Sequence, residues 1–209
     1  ELGGEEAFAR FCDALNAQGL RLIVDIVPNH QGVGGKHNPS WLELLEWGRL
    51  SPQSQTFDVD WDKPGAGGKI VVPFLGEPFE DLLAKHYVGL GFEADIGRFA
   101  VWYSDHCHPV SPLDYAALLE RVQVHDERSA GMLQALVADF RDLRLWDAAE
   151  PAMLLARGAQ LKRQLAEACA ANYALRVAIE RITADFPGDD LRSLCERQAW
   201  RMTYWADAN

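Results

Sequence analysis

Asp25, Asn29 and His30 share one short stretch, "LIVDIVPNHQG", in which an apolar run takes in a carboxylate and then ends on proline, an amide and an imidazole. Side chains alternate along a strand, so Ile23, Asp25, Val27 and Asn29 would face one way and Leu22, Val24 and Ile26 the other. A carboxylate among buried strands costs several kcal/mol unless it is paired, so Asp25 in that setting needs a cationic or hydrogen-bonding partner, expected on another strand. Pro28 has no N–H for a ladder, so the strand should stop there and leave Asn29 and His30 on the loop at its carboxyl end. In α/β sheets and barrels that is the end at which ligands bind. The plain alternatives are that Asp25 caps a helix or sits in a loop, and that Asn29 and His30 form a turn. A second group, Tyr103, Asp105 and His106, closes an aromatic strand, and His106, Cys107 and His108 alternate as a metal site might. That spacing alone lacks a fourth ligand or a partner cluster, so no metal is expected.

The elements that must position these groups read as α/β followed by mostly α. Phe8, Phe11, Cys12 and Leu15 fall at helical spacing within residues 5–18, with Cys12 expected on the buried side and Gly19 as the stop. A strand over residues 20–27 follows almost without a loop, the αβ connection of layered proteins. Residues 37–68 are rich in Gly, Pro, Asn, Asp and Trp, which predicts a long loop region holding one short helix around 41–47. "KIVVPFLG" predicts a strand interrupted at Pro73, and "FEDLLAKH" a short helix. "YVGLGFE" and "GRFAVWY" predict a hairpin with Gly97 at its bulge position. From Ser111, an N-cap followed by Pro112, the pattern turns helical, with further helices predicted over 129–143, 151–171, 173–186 and 189–204. The resulting division is 1–36, 37–110 and 111–209.

Composition narrows the class. At 209 residues and 48% hydrophobic content the chain can bury a core, and a net charge of −11 spread along it argues against nucleic acid and anionic membrane as partners. The four cysteines stand far apart, with no CxxC pair and no secretory signal, so neither disulfides nor zinc is suggested and a reducing, cytoplasmic setting is expected. No apolar run approaches the roughly 18 residues of a membrane span.

Asp25-Ile-Val-Pro-Asn29-His30 after an apolar strand resembles the first signature of the α-amylase family of glycoside hydrolases. Together with "NPSWLELLEWG", "TFDVDW", "KIVVPFLGEPF" and "FAVWYSDHCHPVSP", it resembles the maltooligosyltrehalose synthases of that family, in which a long helical insertion follows the strand. The closing "LCERQAWRMTYWADAN" resembles the stretch that leads back to their barrel. One departure is Ser104-Asp105-His106-Cys107-His108-Pro109, where those enzymes commonly read Tyr-Asp-His-Arg-Phe-Pro, so a role for an arginine there is in doubt.

What the resemblance implies is a partial TIM barrel, one αβ unit, then a loop and β-hairpin region and a helical insertion subdomain. It also implies an α-glucan substrate whose reducing-end α-1,4 linkage is turned into an α,α-1,1 linkage by a retaining double displacement, with no cofactor. That chemistry needs two carboxyl groups about 5 Å apart. In amylase-like enzymes the nucleophilic aspartate follows an arginine by two residues, and these 209 residues contain no Arg-x-Asp. The catalytic residues are therefore expected downstream, with the rest of a parent barrel as partner and no activity from this chain alone. By resemblance Asp25 organises the site, Asn29 braces the loop and His30 hydrogen-bonds the sugar. Tyr103 and His106 either reach the sugar or, with Asp105, form a structural pair. Trp41, Trp47 and Trp61 either stack on glucose rings or pack in the core. The competing readings are a noncatalytic helical interaction or glucan-binding module, and part of an α-glucan hydrolase.

Overall fold

The computed structural model describes residues 3–25, 31–145 and 150–207. The chain divides into two compact units, Glu1–Gly32 and Val33–Asn209.

In the first unit, α1 (Gly4–Ala17) starts with Glu5 and Glu6 beside the positive end of the helix dipole. It stops as expected at Gly19, whose φ of 70° lets the Leu20 N–H turn back to the Leu15 carbonyl at 2.9 Å. No residue of α1 is buried, so Cys12 is not the core residue its spacing predicts. The predicted strand is also corrected: residues 20–25 are irregular and exposed, with Ile23 at 92%. A strand is completed by the N–H and C=O groups of a neighbour, and both sheets described here recruit other segments.

The second unit holds the core. Asn38 caps α2 (Pro39–Trp47) by accepting from the Trp41 N–H at 3.0 Å, with Pro39 at the first helical position, and six of its nine residues are buried. β1 (Ile70–Leu75) runs through Pro73, at which the register slips; in a two-stranded sheet the missing N–H can face water. Then come α3 (Phe79–Ala84), β2 (Val88–Glu93), β3 (Arg98–Tyr103) and β4 (His106–Pro109), the last three forming an antiparallel meander. Gly97 supplies the left-handed turn between β2 and β3, as expected, and a Cβ there would meet the Lys162 carbonyl at 2.1 Å. β4 extends the expected hairpin by a third strand.

After the Ser111 cap come a short 3-10 turn and α4 (Tyr115–Leu119), then α5 (Glu127–Leu143), α6 (Pro151–Ala171), α7 (Tyr173–Ala184) and α8 (Gly188–Arg197). The last predicted helix is corrected: it ends at Arg197, and β5 (Trp200–Tyr204) pairs in parallel with β1, Ile70 opposite Trp200. Gln198 anchors the break. Its side-chain carbonyl accepts from the Ser111 N–H at 2.8 Å while its amide donates to Asp114 at 2.9 Å and to the Leu194 carbonyl at 2.9 Å. The buried Asp114 carboxylate also takes Arg144 at 2.7 Å and Arg197 at 3.2 Å, joining α5 to the end of α8. Aromatic contacts run from the meander into the helices, Phe92 to Phe99, Phe99 to Tyr115 and Tyr115 to Phe140, with centroids 4.7 to 5.1 Å apart. The described residues form two small sheets and no closed barrel. No helix among them is long and apolar enough to cross a membrane.

Candidate functional site

The two-residue turn at Ser104 and Asp105 sets Tyr103 and His106 directly opposite one another as the last pair of the β3–β4 ladder. The Tyr103 hydroxyl accepts from the Gly76 N–H at 3.1 Å, just past β1, so its own proton remains available to an acceptor. The His106 ring lies on Phe74 of β1, centroids 4.4 Å apart and planes 17° from parallel. Its Nδ1 accepts from the Gly35 N–H at 3.3 Å, which places the proton of the neutral ring on Nε2, 3.9 Å from the Asp105 carboxylate. Two glycines make these approaches possible. A Cβ at Gly76 would stand 3.1 Å from the tyrosine oxygen, and one at Gly34 3.3 Å from His106 Cε1. The result is a hydroxyl and an imidazole N–H, both half-buried and held in place from two sides.

His108 lies two residues on and so on the same face, but it is buried, 1% exposed, with ring contacts to Phe74 at 6.4 Å and Trp200 at 5.2 Å. Its Nδ1 has no hydrogen-bond partner, and burial lowers its pKa to about 4, so the ring is neutral. Cys107 points to the opposite face, packs with Leu42 and Ala100, and has its thiol pushed up to about 11 by burial. Among the described residues no three His, Cys, Asp or Glu side chains are grouped to hold a metal ion.

Of the residues singled out from the sequence, the fold brings Tyr103 and His106 together. Asp25 lies in the exposed, irregular stretch after α1 rather than in a buried strand, and Asn29 and His30 fall outside the described residues. Trp41 and Trp47 are core residues. Trp41 meets Phe57 edge-on at 5.2 Å, and Trp47 packs where Gly158 leaves no room for a Cβ. Trp61 is partly buried, with the Arg49 guanidinium 4.8 Å from its ring. Sequence reasoning missed Phe74 and the two glycines, because nothing local marks a residue as the platform for a ring on another sheet. The arrangement can donate hydrogen bonds to hydroxyl oxygens and orient them. Its one carboxylate, Asp105, is 84% exposed, so these residues can hold a hydroxyl group but lack the pair of carboxyl groups that a double displacement needs.

Comparison with known proteins returns synthases of the kind the motifs resemble and, beside them, trehalohydrolases. Over 77 residues the chain is 44% identical to a maltooligosyl trehalose synthase of Mycobacterium tuberculosis, a match covering 36% of this chain and 10% of the relative. It is 38% identical over 58 residues to a malto-oligosyltrehalose trehalohydrolase of Arthrobacter ramosus, 28% of this chain and 10% of that protein. With the corresponding trehalohydrolase of Brevibacterium helvolum it shares 31% over 93 residues, 44% of this chain and 15% of that protein. The matched stretch is thus about a tenth of the length of the first relatives. No family profile matches the chain, and no solved structure does.

Proposed function

We propose that this chain is one part of a maltooligosyltrehalose synthase, a cytoplasmic enzyme that isomerises the reducing-end α-1,4 linkage of a maltooligosaccharide to α,α-1,1. The observation that carries the reading is the 44% identity to the mycobacterial synthase over 77 residues. The signature Asp25-Ile-Val-Pro-Asn29-His30 supports it from the sequence. In this reading residues 1–36 contribute to a barrel that the remainder of the enzyme completes, 37–110 are the loop and hairpin region, and 111–209 the helical insertion. Asp25, Asn29, His30, Tyr103 and His106 position sugar hydroxyls. The nucleophile and the general acid come from the remainder, and no cofactor takes part.

The likeness to two trehalohydrolases favours one second reading, in which the parent enzyme hydrolyses an α-glucan. Product analysis separates the two. With maltopentaose, the chain joined to its remaining barrel is expected to remove reducing ends without releasing free sugar. Release of glucose or shorter maltooligosaccharides as the main product would establish the hydrolase. The chain by itself is expected to convert nothing, since covalent catalysis requires a nucleophile and an acid that it does not supply. Trehalose-ended product above a blank would refute its supporting role. In the complete enzyme His30→Ala is expected to lower kcat while longer substrates still bind through remote subsites.

A further inference from the structure

β4 has a second face. Cys107 and Pro109 alternate with His106 and His108, and beside Pro109 a cleft of about 580 Å³ opens among α2, the β2–β3 turn and α6. It is distinct from the Tyr103–His106 pair: its Arg98 begins β3 and Tyr103 ends it, roughly 16 Å away at ordinary strand rise. Lys36, His37, Glu43, Glu46, Arg98 and Lys162 supply its polar lining. Leu42, Trp47, Ile96 and Leu155 supply the apolar part.

Four of the charged groups, Glu43, Glu46, Arg98 and Lys162, are held by partners. Glu46, only 6% exposed, accepts two hydrogen bonds from Lys162 Nζ at 2.6 and 2.7 Å. Glu43 accepts from the Ser51 hydroxyl at 3.0 Å, and Glu93 holds Arg98 Nε at 2.6 Å. A buried ion pair is no more stabilising than a well-packed apolar pair, so the Glu46–Lys162 pair is poorly explained by stability alone. Its position in a cleft of ligand size, within the range of roughly 300–1,000 Å³, offers a use.

The lining selects the ligand class. An anion would face Glu43 and Glu46, and a cation would face Lys36, Arg98 and Lys162. A wholly apolar molecule would strip water from all of them without replacing a hydrogen bond. A sugar hydroxyl both donates and accepts, so a ring bearing several of them can meet carboxylates and cations together while its C–H face lies on the apolar side chains. We propose that this cleft is a second saccharide-binding site, built for a neutral polyhydroxylated ring and separate from the Tyr103–His106 pair. The ligand class follows from the lining; taking that ring from an α-1,4-glucan rests on the function proposed above.

Methyl and imidazole NMR spectra of the chain, recorded during titration with maltopentaose, test both sites at once. Saturable shifts of the Ile96, Leu42 and Leu155 methyls are expected. Ala159→Trp, which fills the cleft while leaving the ion pair in place, should abolish them, and Lys162→Met should weaken binding by about tenfold or more. Tyr103→Phe should leave them unchanged within about twofold, since it alters the other site. Shifts at the cleft without any at His106 would uphold the cleft and remove the hairpin pair from substrate binding. Shifts confined to His106, or cleft shifts that survive Ala159→Trp, would overturn the cleft while leaving the proposed function standing. If neither place shifts, both sites are overturned.

Discussion

Two apolar stretches of this chain meet opposite fates. Residues 20–25, Leu-Arg-Leu-Ile-Val-Asp, are irregular and exposed, whereas β1, Ile-Val-Val-Pro-Phe-Leu, is a strand whose Ile70, Val72 and Leu75 are buried. By composition the first is as good a strand as the second, and the second even carries a proline. The difference lies in partners: β1 pairs with β5, which the chain supplies only after six helices and a three-stranded meander. Strand propensity states that a segment fits a pleated, half-buried surface, and only a neighbour makes that surface.

The sharpest way to break this contrast is to remove what holds β5. Trp200 is fully buried and its indole N–H donates to the Pro109 carbonyl at 2.8 Å, tying the parallel pair to the meander. Trp200→Ala is expected to cost about 4 kcal/mol in chemical denaturation. A loss under about 1 kcal/mol would mean that the two sheets do not share a cooperative core.

Acid attacks the same interface through His108. Its folded pKa, about 4, lies below the ordinary value, so between roughly pH 6.5 and 4 the unfolded chain binds a proton that the folded chain does not. Its contribution to stability is complete above pH 6.5, falls as the pH drops and amounts to about 3 kcal/mol lost below pH 4. His108→Leu should flatten that part of the pH–stability curve. A curve identical to the parent's would place the acid sensitivity elsewhere.

Tyr103→Phe removes one hydrogen bond, to the Gly76 N–H, and should cost about 1 kcal/mol of stability. In the synthase proposed above, the same change should raise KM for maltopentaose if Tyr103 holds substrate; a KM equal to that of the parent would leave the residue a purely structural clasp. Ile23→Ala is expected to be smallest, within about 0.5 kcal/mol, because the side chain is exposed in this chain. In the barrel proposed above, the same substitution should become costly, and a neutral result there would remove residues 20–27 from the proposed wall.

Much of the helical part was legible because its signals are local. Ser111 caps its turn by accepting from the Leu113 N–H, Gly19 and Gly97 take left-handed conformations, and α6 spans Pro151–Ala171 as its periodicity predicts. The misread elements are those decided at long range. Residues 200–204 continue a helical pattern and became a strand because Gln198 is held by Ser111 and Asp114 and Ile70 stands opposite Trp200. β4 carries no strand signal of its own, since "HCHP" is short and ends in proline, yet β3 offers it a ladder.

Sequence alone determined the kind of protein resembled, the helices with their caps, the turn glycines and Tyr103 and His106 as candidates, because each rests on residue types within a few positions of one another. Tertiary structure alone decided that Phe74 and two glycines cradle those candidates, that Glu46 meets Lys162 from another helix, and that one apolar segment is a strand while another is not. The physical reason is that a ladder, a stacked ring and a buried ion pair each need two surfaces, and the second belongs to residues far along the chain.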